Sequence, residues 1–228
     1  MKKYLFVLLA VSLCGCVPDE LETLKKSFRA EDDELQKSLD KAMTTVEIRN
    51  SAGEHCQVAE KQLLRTLDWK LRQTKEAAER IAMLKVLHEL GNEIRGIMEE
   101  SYEGTGTIEP VNRSFRAALL LNRQQMIWML NKEEKARWDR VANASGMIGG
   151  KKITLKNGRA EFVTKMYNEN TKLEIMLFPG DISTRDGRDF VRIKTDIPKA
   201  NNDDFESIYR CEVKDGIIIS AVVEKKAE

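Results

Sequence analysis

The spacing of the apolar residues changes once along this chain, near residue 145, and that change assigns two architectures to one sequence. From Asp19 to about Asn50 the residues Leu21, Leu24, Phe28, Leu35, Leu39, Met43 and Val46 recur at helical steps, as one face of an amphipathic α-helix requires. At the helical rise of 1.5 Å per residue such an element reaches about 45 Å. Ser51-Ala52-Gly53 is expected to interrupt it. The pattern resumes with Leu64, Leu67, Leu71, Ala78 and Ile81 and becomes a heptad-like seam at Leu84, Leu87, Gly91, Ile94 and Met98, the spacing by which helices pack side by side. One long helix or two joined near Gln73-Thr74 fits this stretch equally.

Gly104-Thr-Gly-Thr-Ile-Glu-Pro110 breaks the helical pattern, and Pro110 suits the first turn of the helix that follows, where a missing N–H costs nothing. That helix carries Phe115, Ala118, Leu119, Met126, Met129 and Leu130. Asn131 with Glu134 three residues on reads as a capping box opening a short helix through Ala136, Trp138 and Val141. At Ser145-Gly146 and Gly149-Gly150 the period becomes alternating. Strands are expected at Ile153 and Leu155, Ala160 to Met166, Leu173 to Leu177, Val191 and Ile193, Tyr209 to Val213, and Ile217 to Val223, with Asn157-Gly158 and Asp215-Gly216 as two-residue turns. The expected class is α+β. Long amphipathic helices, a hairpin or bundle, precede a small antiparallel meander or barrel-like sheet. The expected division is 1–15, a leader; 16–50, anchor and first helix; 51–145, a helical domain; and 146–228, the sheet.

The chain holds 38 basic and 37 acidic residues, intermixed, for a net charge of +1. Nucleic acid, which demands a concentrated basic face, is an unsuitable partner. Charged residues make up 33% and aromatics 6%, a balance that suits exposed helices better than a thick core. No Gly-x-Ser-x-Gly, phosphate loop or dinucleotide fingerprint occurs, and His55 and His88 lack the partners that metal spacing requires. Asp181, Ser183, Asp186-Gly187 and Asp189 fall short of a calcium loop, because no acidic series precedes the glycine and no Glu closes it. The acidic runs at 31–34 and 201–204 either face a basic partner or are simply solvated. The expectation is therefore a binding or structural protein rather than an enzyme, with no cofactor and no metal.

The chain opens with Met1-Lys-Lys, an apolar run from Tyr4 to Leu13, and Leu13-Cys14-Gly15-Cys16. Ten apolar residues are too few to cross a bilayer but suffice for a secretory leader. The ending resembles the lipobox of bacterial lipoproteins, which implies cleavage before Cys16 and acylation of its sulfur and amine. Several acyl chains hold a protein durably where one does not. Val17 follows, and the absence of Asp there favours the outer membrane and a periplasm-facing chain. In that oxidising compartment Cys56 and Cys211 either form a disulfide or remain two buried thiols.

Residues 47 to 130 resemble the LprI-type lysozyme-inhibitor family of bacterial envelope proteins. The likeness is carried by Ile94-Arg95, by the loop Tyr102-Glu-Gly-Thr-Gly106-Thr107-Ile108-Glu109-Pro110, and by Arg116-Ala-Ala-Leu-Leu120. Gly91 stands where the family has Trp, and Glu99 and Arg116 stand where it has two cysteines. The resemblance implies binding to lysozyme. Lysozyme works through two carboxylates in a cleft, so the implied contacts are Arg95, Gly104, Gly106 and Glu109. The competing reading needs no family: a lipid-anchored helical stalk whose seams assemble with partner helices or with a second copy. A third, lipid carriage by the sheet, requires a barrel with an open apolar interior.

Overall fold

A computed structural model of the chain describes residues 19–99, 108–166, 169–195 and 207–224. The architecture is α+β, with five helices followed by eight strands among the described residues. The chain divides into two compact units, residues 1–125 and 126–228.

In the first unit, helix α1 (Asp19–Lys41) and helix α2 (Thr45–Gln73) form a hairpin. The break falls at 42–44, not at Ser51-Ala52-Gly53. Thr44 caps α2 through a box: its hydroxyl accepts from Glu47 N at 3.2 Å while the Glu47 carboxylate accepts from Thr44 N at 2.8 Å. Met43, read as a stripe residue, is 93% exposed beside this cap. Gly53 lies inside α2, where Ser51 and Ala52 are buried.

Phe28 of α1 and Leu63, Thr66 and Leu67 of α2 are buried. Arg65 bridges the pair, stacked 4.7 Å from the Phe28 ring and 2.6 Å from Glu31. Gln62, 1% exposed, donates to Glu31 at 3.2 Å and to Asp32 at 3.0 Å. The start of the acidic run at 31–34 is thus spent within the hairpin. The run at 201–204 lies outside the described residues.

Helix α2 stops at Thr74, whose N–H and hydroxyl both bond Lys70 O, and helix α3 (Ala77–Glu99) follows. Two helices occupy the stretch, the second of the two arrangements allowed above. Helix α4 (Ile108–Trp128) carries Pro110 in its first turn, and its Phe115 meets His55 of α2 edge-on at 5.6 Å.

Helix α5 (Lys132–Val141) begins at the expected box, with Asn131 and Glu134 exchanging hydrogen bonds of 2.9 Å each. It belongs to the second unit. Trp138, Val141, Ala142 and Ile127 share one core with Ile148, Ile153, Ile175, Val191, Ile193, Tyr209 and Cys211. The unit boundary therefore falls inside α4 instead of at 145/146, because helical spacing continues through residues whose side chains serve the sheet.

Strands β1 (Ser145–Ile148), β2 (Lys151–Thr154), β3 (Arg159–Met166), β4 (Glu169–Met176), β5 (Ile182–Arg185), β6 (Arg188–Thr195), β7 (Ser207–Lys214) and β8 (Ile217–Val223) complete the unit. β1 and β5 were not expected. Six strands form one sheet in the order β2-β1-β8-β7-β6-β5, and β3-β4 is a separate ribbon. All pairs are antiparallel except β1 with β8, which is parallel. The arrangement is thus a mixed open sheet with a ribbon. Among the described residues β2 and β5 remain edges, so their strands do not close into a barrel, and the interior is filled by side chains.

Asn157-Gly158 and Asp215-Gly216 make the expected turns, and Gly149-Gly150 and Asp186-Gly187 make two more, all eight residues having positive φ. That conformation is what two-residue hairpins of the primed type demand. Gly146 is required for a different reason. A Cβ there would lie 2.5 Å from Ile218 Cβ and 2.6 Å from Ile218 O, so the parallel β1–β8 contact admits no side chain.

Candidate functional site

Helix α3 presents the feature most in need of explanation. Its inward stripe ends in buried Leu90 and Ile97. A second apolar stripe remains open: Ile81 is 54% exposed, Leu84 49% and Met98 49%. His88, Gly91 and Arg95 continue that stripe and are exposed, so residues 81, 84, 88, 91, 95 and 98 follow alternating steps of three and four, the heptad rhythm. Leu87 and Ile94 are half-buried and join the two stripes. Ile81, Leu84 and Met98 are the apolar members of this face, with His88, Gly91 and Arg95 between them.

Of the residues implied by the lysozyme-inhibitor resemblance, Arg95 stands exposed on this face. Glu109 lies in the first turn of α4, 3.5 Å from Arg113. Gly104, Gly106 and Cys16, the expected anchor, lie outside the described residues.

Cys56 of the first unit and Cys211 of the second are both free thiols. Cys211 is fully buried in the core of the sheet, among side chains of its own unit. Burial pushes its thiol up to about 12. Burial also raises Cys56, and the nearby Glu60 carboxylate adds to the shift. Both thiols stay protonated near neutral pH, the reverse of the activation a nucleophilic cysteine needs.

The histidines are similarly occupied. His55 Nδ1–H donates to Ser51 O at 2.8 Å, and His88 Nε2 lies 3.1 Å from the Asn92 amide.

The residues that loosely suggested a calcium loop have local duties. Asp181 accepts from Phe178 N at 2.7 Å. Asp189, 9% exposed, accepts from Arg140 at 3.0 Å and from Thr184 at 2.9 Å, tying α5 to the sheet. Sequence offered no signal for this tie, because its partners are 49 residues apart. A cleft of about 630 Å³ opens beside it, lined by Arg140, Arg188 and Lys214 together with Asp189, Glu212 and Asp215. Arg188 pairs with Glu212 at 3.3 Å, so the cleft's charges balance and neither sign dominates.

The outer face of the sheet exposes Met147, Ile217, Ile219 and Val222. Beside them Arg192 pairs with Glu224 at 2.9 Å, the mixed pattern of a solvated sheet face. The stripe on α3 is the better candidate contact surface. In comparisons with known proteins, no family model, curated protein or solved structure matches the chain.

Proposed function

We propose that the protein is a lipid-anchored component of the bacterial cell envelope that works by binding another protein through the open face of α3. The leader that precedes Cys16 supports the anchor, with the mature chain facing the periplasm from the outer membrane. The observation that carries the binding role is the heptad-spaced set of Ile81, Leu84 and Met98, about half exposed on a helix whose neighbouring stripe, at Leu90 and Ile97, is already buried. Burial of such side chains against a partner supplies about 25 cal/mol per Å² of apolar surface. The role is non-catalytic and needs no cofactor.

Arg95 gives a specific reason to keep lysozyme among the partners. It is exposed on the same face, as a group entering a carboxylate-lined cleft must be.

Two measurements test the reading. Labelling of cells with a palmitate analogue is expected to mark the native protein and Cys14→Ser but not Cys16→Ser. Undiminished labelling of Cys16→Ser removes the anchor. The soluble mature protein, added at stoichiometric levels to lysozyme and a peptidoglycan suspension, distinguishes the partners. Inhibition lost in Arg95→Ala supports lysozyme, whereas no inhibition leaves assembly through the stripe as the binding mode.

A further inference from the structure

We infer that the occupant of the α3 stripe is a second copy of the same helix, paired antiparallel. The inference rests on the binding role proposed above and names its partner. The argument is the stripe's self-complementarity. Read from Ile81 to Met98 the outward residues are Ile81, Leu84, His88, Gly91, Arg95 and Met98. Turned end for end about a two-fold axis, the stripe sets Ile81 against Met98 of the second copy, Leu84 against Arg95, and His88 against Gly91.

Each layer then matches. The end layers are apolar, and the aliphatic stem of Arg95 covers Leu84 while its guanidinium reaches solvent. The His88 ring meets Gly91, where an added Cβ would have nothing within 4 Å beyond its chain neighbours and its own helix backbone. A closed two-fold contact of this kind uses one patch on both subunits and leaves no stripe uncovered.

Charge decides the direction. A parallel pair in register sets Arg95 on Arg95, His88 on His88 and Arg80 beside Lys85, like charges or two bulky rings at successive levels. The antiparallel pair separates them, brings Lys85 of each helix to the end where the other carries Glu99 on the same flank, and opposes the two helix dipoles.

The stripe spans about 26 Å, which makes the interface small. A dissociation constant on the order of 10–100 µM is expected for the soluble protein. Anchoring both copies in one membrane raises their effective concentration and compensates for that weakness.

The test uses the full mature chain carrying Cys16→Ser and Cys56→Ser, with buried Cys211 retained. Under mild oxidation, a mixture of Leu84→Cys and Arg95→Cys proteins is expected to give a disulfide-linked dimer between the two variants. Neither variant alone is expected to link. In sedimentation, chains with Leu84→Glu or Met98→Glu, both on the exposed side and folded by circular dichroism, are expected to dimerise at least tenfold more weakly. Linking of Leu84→Cys to itself at the rate of the mixture overturns the antiparallel pair. A monomer at 200 µM with no mixed disulfide overturns self-pairing altogether. If a foreign envelope protein is then cross-linked to residue 84 in cells, self-pairing fails while the binding role stands.

Discussion

At the scale of single residues, burial explains both what was legible and what was not. Cys211 shows this best: its alternation with Tyr209 and Val213 marked it as a strand residue, but how deeply it is buried depended on what surrounds it. It sits fully buried in the sheet's own core, with its thiol raised from the ordinary 9.0 to about 12. The linkage follows directly. The unfolded chain loses this proton from about pH 9 while the folded chain keeps it towards pH 12, so the stabilisation is whole below pH 9 and is lost as pH rises. Relative to Cys211→Ala, the native protein is expected to lose about 1.4 kcal/mol of stability per pH unit above 9. Urea titrations of both proteins between pH 8 and pH 10.5 check this, and parallel pH curves would contradict it. In the folded protein at pH 8 only Cys56 is expected to alkylate readily.

At the scale of elements, local chemistry was readable wherever one short signal stood unopposed. Asn131-x-x-Glu134 and the Asn157-Gly158 and Asp215-Gly216 turns formed as their residues dictate. Thr44-x-x-Glu47 carries an equally good cap, but it was hidden because Met43 and Val46 continue the apolar rhythm across it. Those two side chains are exposed, so periodicity was apparent there without burial behind it. Strands β1 and β5, four residues each, were too short for alternation to register. The parallel β1–β8 pairing had no local signal at all, since it joins segments about 70 residues apart. It can nevertheless be tested locally. Gly146→Ala places a Cβ against Ile218 backbone and Cβ atoms and is expected to destabilise the protein by about 1–3 kcal/mol, read as a lower urea midpoint. An unchanged midpoint would mean that β1 does not approach β8 so closely.

At the scale of the whole molecule, the α+β division was legible in the change of spacing, while the boundary between units was not. Helix α5 is helical in pattern but supplies Trp138 and Val141 to the sheet's core, and no periodicity states which core a helix serves. A fragment of residues 126–228 is therefore expected to unfold cooperatively in urea. A fragment of residues 146–228 is expected to show no cooperative transition, because it lacks Ile127, Trp138, Val141, Ala142 and Ala144. Equal behaviour of the two fragments would restore the boundary to 145/146.

The candidate contact surface was half legible for the same reason: the seam on α3 could be seen in sequence, but which of its residues remain open could not. That open face is the centre of the functional account. Its most direct measurement is photo-cross-linking in intact cells, with a photoreactive residue placed at Leu84 or Met98 on the stripe, or at exposed Glu54 on α2 as the reference. The account predicts a discrete membrane-associated adduct from positions 84 and 98 and none from position 54. Adducts absent at 84 and 98, or equally strong at 54, would contradict it.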